Sequence, residues 1–102
     1  MIVEKTYTFA RHTGVTNEPR AVLADYQPAD HSLTVYQATQ APHMMQDIMS
    51  RHLGIPESQV RIVCKDVGGS FGINVHVYPD EMATAALSVM LKRPVKFMAD
   101  RI

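Results

Sequence analysis

The residues best suited to holding a ligand form a glycine-rich run at positions 65–72, KDVGGSFG. A turn with three glycines lacks most side chains, so its backbone N–H groups can approach another molecule closely. Such N–H groups bind phosphate and oxo groups well, particularly beside the start of a helix. The spacing matches neither a dinucleotide fingerprint nor a P-loop, so it indicates a ligand class but no reaction. The candidate ligand-binding residues are Gly68, Gly69, Ser70, Phe71 and Gly72.

Gln40 is the second candidate site residue. It follows a predicted strand and precedes Pro42, which suits the first turn of a helix. Its neutral amide offers both a donor and an acceptor, and it can donate to an oxo group without adding charge. The position leaves two interpretations open, since the side chain could cap the helix or point into a site.

Other reactive residue types show no arrangement typical of a site. The five histidines include no H-x-x-x-H pair, and Cys64 has no second cysteine near it, so we expect no metal site. Glu18 and Arg20 flank Pro19, and we expect either a local ion pair or a solvated loop there.

Composition indicates an ordinary globular domain. The 102 residues are 46% hydrophobic and 20% charged, and ten basic residues balance ten acidic ones. Without a basic run, neither a nucleic acid nor a membrane is an expected partner. The apolar runs are too short to span a bilayer, and no signal-peptide pattern is recognisable. A single cysteine excludes an internal disulfide and is typical of a cytoplasmic protein.

Hydrophobic periodicity predicts one small α/β (α+β) domain with a mixed sheet and two helices in the order β-β-β-α-β-α-β. One helix begins at Pro42 and ends near Gly54, and the other occupies residues 80–93. Residues 73–78 alternate between apolar and polar side chains as a strand would, but we favour a loop that leads into the second helix. The predicted strands cover residues 3–9, 21–26, 33–38, 60–64 and 95–99.

Several of these segments together resemble the xanthine dehydrogenase / aldehyde oxidase family of molybdenum hydroxylases. The closest likeness is to the molybdopterin-binding large subunit of the branch that contains carbon monoxide dehydrogenase and aldehyde dehydrogenases. The resemblance covers nearly the whole chain, and its motifs occur in the family's order. They are HTGVTNEPR at 12–20, TQAPH at 39–43, LGIP at 53–56, VRIV at 60–63, DVGGSFG at 66–72 and RPVKF at 93–97.

The resemblance implies a cofactor, a reaction and partners. The glycine loop would contact molybdopterin, in its molybdenum cytosine dinucleotide form, and Gln40 would lie beside the apical oxo ligand. The reaction would be hydroxylation of an aldehyde, an N-heterocycle or a similar small substrate with oxygen from water. Electrons would leave through iron–sulfur and FAD groups on partner subunits. The remainder of the molybdenum subunit would be a further partner.

Three positions depart from the family pattern. The family usually has a third glycine at the position of Ser70 and a lysine at that of Asn74. Where xanthine-type members use a glutamate to bind purine, this chain has Val75, which argues against a purine substrate.

The family's general base and its later cofactor motifs have no counterpart within 102 residues. Strands are also predicted close to both ends, and we expect more sheet in a longer parent sequence. Residues 1–102 would then be a fragment of a molybdopterin-binding domain, inactive in isolation. The alternative is a stand-alone α/β binding or interaction module without cofactor or catalysis. Ser70 and Asn74 favour the module, whereas Gln40 and the intact Gly-x-Phe-Gly at residues 69–72 favour the cofactor-binding fragment.

Overall fold

Two strands, a helix, a strand, a second helix and a last strand follow one another along the chain. The computed structural model describes residues 1–100. Short 3-10 turns lie at Glu57–Gln59 and Ile73–Val75. The regular elements are β1 (Ala21–Gln27), β2 (Ser32–Gln37), α1 (Pro42–Leu53), β3 (Val60–Val63), α2 (Pro79–Leu91) and β4 (Val95–Met98).

The four strands form one mixed sheet in the order β3-β2-β1-β4. β1 pairs antiparallel with both β2 and β4, and a tight turn joins β1 to β2 as a hairpin that ends with Gln27 opposite Ser32. β2 and β3 are parallel, with Leu33 opposite Val60 and Tyr36 opposite Val63. Because parallel strands end at the same edge of a sheet, the segments that follow β2 and β3 are brought side by side.

The core lies between the sheet and the two helices. α2 packs against β1 and β4, and α1 packs against β3. Alternate residues of β2 are buried, including Leu33 and Val35, because successive side chains of a strand point to opposite faces. Met45 and Met49, four residues apart on α1, are fully buried, and Met49 belongs to the same core cluster as Leu33 and Val35. Gly54 caps the C-terminus of α1 in the left-handed conformation that is usual there.

The predicted fold class, mixed sheet and two helices are confirmed. Residues 73–78 form a loop and a short 3-10 turn that lead into α2, also as predicted. Residues 3–9 are the exception, since they are exposed and form no strand. An alternating sequence forms a strand only against a partner, and no strand among residues 1–100 pairs with this segment. No helix in the same range is long and apolar enough to cross a membrane.

Candidate functional site

The parallel pairing of β2 and β3 brings Gln40 next to the glycine loop. Residues 38–41 follow β2 and residues 64–72 follow β3, at the same edge of the sheet. The carbonyl of Asn74 joins the two segments, since it accepts hydrogen bonds from the Gln40 backbone N–H and the Thr39 hydroxyl, both at 3.1 Å. The two candidate regions of the sequence therefore form one site.

The Gln40 side chain binds the loop through its oxygen. Oε1 accepts from the backbone N–H of Gly72 at 3.1 Å and contacts the Ser70 hydroxyl. A backbone N–H can only donate, so the amide atom that faces it must be the oxygen. The Nε2 group consequently faces away from the loop, and no acceptor for it lies among residues 1–100. Gln40 does not cap α1, whose N-cap residue is Ala41 without a side-chain cap.

The loop presents a row of backbone donors. The N–H groups of Gly69, Ser70 and Phe71 have no acceptor within the part of the chain that the structure describes. The N–H groups on either side are occupied, since that of Gly68 donates to Glu18 and that of Gly72 to Gln40.

The backbone conformation of the loop favours an anion. Gly69 has φ +99° and Phe71 has φ +51°, whereas Ser70 between them does not have positive φ. Successive backbone N–H groups in a turn of this kind can face a common concavity, which binds anions or oxo groups.

Phe71 forms a wall of a neighbouring groove. Phe71 is 74% exposed, and it adopts a left-handed conformation that is costly for a bulky residue. A Cβ added to Gly14 would lie 2.9 Å from the Phe71 Cβ, so the absence of a side chain there permits close packing. The groove has a volume of about 400 Å³. Its lining consists of His12, Thr13, Gly14, Val15 and Phe71.

Glu18 joins the loop to the segment that precedes β1. Its carboxylate accepts from the Gly68 N–H, and its carbonyl accepts from the Thr16 hydroxyl at 2.8 Å. A Cβ at Gly68 would lie 2.4 Å from the Glu18 Cβ, so glycine is needed there for packing between the segments. Sequence analysis missed this contact, because the two residues are 50 positions apart and nothing in either motif signals the other.

Asn74 holds the loop from its other side. The side chain is buried and donates from Nδ2 to the Gly69 carbonyl at 3.1 Å. Its backbone N–H donates to the Ser70 Oγ at the same distance. Ser70 in the loop and Asn74 just after it, which both depart from the pattern of the family that the sequence resembles, are therefore direct partners.

Arg20 ties residues 16–20 to the start of α2. Its guanidinium makes a bidentate pair with Asp80 at 2.7 and 2.9 Å, contacts Glu81 at 3.2 Å and stacks 3.8 Å from the centre of the Tyr78 ring. The hydrogen bonds from Arg20 hold the pKa of Asp80 below its ordinary value, whereas burial raises the pKa of Glu81.

The expected local pair between Glu18 and Arg20 is wrong, and so is the solvated loop. Both side chains have partners far away in sequence.

The donor groups at the site suit an acceptor-rich ligand. Three backbone N–H groups and the Gln40 Nε2 contribute donors without a formal charge. No three His, Cys, Asp or Glu side chains converge among residues 1–100 in a way that could hold a metal ion directly.

The chain matches a family of known proteins over its whole length. Residues 1–102 fit the family described as the molybdopterin cofactor-binding domain. The carbon monoxide dehydrogenase large chain of Hydrogenophaga pseudoflava is 44% identical over 80 residues, which cover 78% of this chain and 10% of that protein. The nicotine 6-hydroxylase large subunit of Paenarthrobacter nicotinovorans is 37% identical over 100 residues, which cover 98% of this chain and 12% of that protein.

Solved structures of the same family share the fold. Quinoline 2-oxidoreductase from Pseudomonas putida 86 superposes with a TM-score of 0.80 and 33% identity, over 83% of this chain and 11% of that chain. The chain thus spans about a tenth of the length of the relatives it matches.

Proposed function

This chain belongs to the molybdopterin cofactor-binding domain family, and on that premise we propose that it forms the cofactor-facing portion of a molybdenum hydroxylase large subunit. Residues 1–102 would be one part of that domain, and the remainder of the subunit would complete it. The relatives that are named large chains or large subunits support this assignment.

One observation carries the proposal, namely that the loop N–H groups and the Gln40 amide nitrogen have no acceptor among residues 1–100. Molybdopterin bears a phosphate, and its molybdenum bears oxo groups, so the cofactor offers acceptors to a surface that offers donors. The N–H groups of Gly69, Ser70 and Phe71 would hold these acceptors. Gly68 and Gly72 would take part by shaping the turn, since their own N–H groups already have partners.

Gln40 would donate from Nε2 to the apical oxo group. Its oxygen is held by the loop, so the amide does not have to reorient when charge develops on an acceptor next to it. Fixed neutral donors of this kind stabilise developing charge at little reorganisation cost. When bound, the cofactor would supply the redox centre for hydroxylation of a carbon atom with oxygen from water.

Other parts of the enzyme would have to supply the remaining functions. We expect the general base outside these 102 residues, so the isolated chain should be inactive. The cofactor would be the molybdenum cytosine dinucleotide form, and iron–sulfur and FAD groups would lie on partner subunits in the cytoplasm. An N-heterocycle fits the relatives named for nicotine and quinoline, and an aldehyde fits those named aldehyde oxidase. Val75 argues against a purine.

Molybdenum and pterin analysis tests the proposal. The chain should be produced together with the remaining subunit sequence in a host that makes the cofactor. We expect both molybdenum and pterin to co-purify with it. Their absence from folded protein would refute the proposal and favour a stand-alone interaction module. Substrate-dependent dye reduction by the pure 102-residue chain would refute the expectation that it is inactive.

A further inference from the structure

The Ser70 hydroxyl lies between two groups of the candidate site. Its oxygen accepts from the backbone N–H of Asn74 at 3.1 Å and contacts the Gln40 Oε1. A hydroxyl has one proton to donate. Since Asn74 supplies the donor on one side, the Ser70 proton must be directed to the Gln40 oxygen, which can only accept.

This arrangement fills the acceptor capacity of the Gln40 oxygen. An amide oxygen has two lone pairs, and Gly72 N–H and Ser70 O–H occupy both. Rotation of the amide by half a turn would place NH₂ against the Gly72 N–H and lose that hydrogen bond, while Ser70 would have to change from donor to acceptor. The Gly72 N–H, which can only donate, therefore determines which way the amide faces, and the Ser70 hydroxyl adds a second hydrogen bond that holds the oxygen in that place.

The groups that direct Ser70 are themselves held in place. Asn74 is buried, and its side chain donates to the Gly69 carbonyl. Its backbone carbonyl accepts from the Gln40 N–H. Asn74 thus sets the position of the Gln40 backbone and the direction of the hydroxyl that orients the Gln40 side chain.

We propose that Ser70 is a positioning residue that holds the Gln40 carboxamide with its NH₂ group toward the cofactor. The inference rests on the proposed function, because it supposes a cofactor acceptor beyond Nε2. Ser70 acts through Gln40, so its effect should vanish when the Gln40 amide is absent. A glycine at this position could not supply the hydroxyl, and Asn74 N–H would then lose its acceptor.

A double-mutant cycle in the complete, cofactor-loaded enzyme tests this inference. The variants are Ser70→Ala, Gln40→Ala, the double variant and Ser70→Thr, which keeps the hydroxyl. The readouts are kcat, molybdenum content and the EPR spectrum of the molybdenum centre. One neutral hydrogen bond is worth about 0.5–1.5 kcal/mol, so Ser70→Ala should lower kcat by roughly 2- to 10-fold and alter the spectrum.

The cycle separates a positioning role from a merely structural one. In the Gln40→Ala background, Ser70→Ala should cause no further change in kcat or in the spectrum, and Ser70→Thr should recover most of the wild-type signal. Tyr78→Phe is the matched control. It removes a 2.8 Å hydrogen bond to the Ile73 carbonyl in the same region without touching Gln40, so it should leave the spectrum unchanged.

Distinct results overturn the inference and the proposed function. If Gln40→Ala changes the spectrum but Ser70→Ala does not, or if the two losses multiply, the inference is wrong and the proposed function stands. If Gln40→Ala changes nothing, or the wild type contains no molybdenum, both are wrong. Should Ser70→Ala fail to fold, Ser70→Gly replaces it in the cycle, because it also removes the hydroxyl.

Discussion

The contact between Gly68 and Glu18 makes a quantitative prediction for Gly68→Ala. The three atoms nearest to a Cβ at position 68 all belong to Glu18, and the shortest distance would be 2.4 Å. An ordinary carbon–carbon contact is about 3.5–4.0 Å, so one segment must move by roughly 1 Å. Overpacking of this kind costs about 1–3 kcal/mol. Loss of the exposed hydrogen bond between the Gly68 N–H and the carboxylate adds about 1 kcal/mol.

We therefore expect Gly68→Ala to lower the free energy of unfolding by about 2–4 kcal/mol. Urea denaturation of the chain measures this loss. In a Glu18→Gly background the obstructing atoms are gone, and the same substitution should cost less than about 1 kcal/mol. Gly54→Ala is the control, because nothing lies within 4 Å and only its φ of +66° is strained. Its cost should not depend on residue 18, and an equal cost of Gly68→Ala in both backgrounds would refute the reasoning.

Three further substitutions test separate parts of the structure. Asp80→Asn removes the carboxylate whose pKa the Arg20 hydrogen bonds lower, so the variant should be about 1–2 kcal/mol less stable at pH 7. That stability is present above the unfolded-state pKa and is lost as pH falls through the folded-state value, so urea titrations of both proteins should converge below about pH 4. Phe71→Asn introduces a residue type that tolerates positive φ, so the unfolding free energy should change by less than about 1 kcal/mol. The molybdenum content of the subunit should nevertheless fall. Gln37→Met replaces a buried amide that has no partner among residues 1–100, and thermal unfolding should show a gain of about 1–2 kcal/mol.

Each of these predictions has a clear contrary result. If the stability difference between wild type and Asp80→Asn stayed constant down to low pH, protonation of Asp80 would not be its cause. Full molybdenum content in Phe71→Asn would show that the Phe71 side chain is not needed for cofactor binding. A loss of stability in Gln37→Met would show that the amide has a partner that stabilises it.

Elements with a strong local pattern could be predicted from the sequence. The alternation in β1 and β2 and the apolar stripe of α1 are local, and both correspond to faces buried in the core. The same alternation at residues 3–9 gave a wrong strand, because pattern alone does not reveal whether a partner strand is present.

The candidate site was only partly predictable for a related reason. Gln40 and the glycine loop could be recognised separately, but their contact depends on the parallel pairing of β2 and β3. The pairing of Arg20 with Asp80 joins residues 60 positions apart, and no local pattern signals it. Ser70 and Asn74 argued against a cofactor when considered singly, yet together they hold the loop and the Gln40 oxygen.

Hydrogen–deuterium exchange of the loop tests most directly the claim that the N–H groups of Gly69, Ser70 and Phe71 face the cofactor. The complete subunit should be compared with and without bound cofactor. The account predicts that the amides of Gly69, Ser70 and Phe71 exchange more slowly when cofactor is bound, whereas that of Gly68, already bonded to Glu18, changes little. Equal exchange of the three amides in both forms, in a subunit shown to contain molybdenum and pterin, would contradict it.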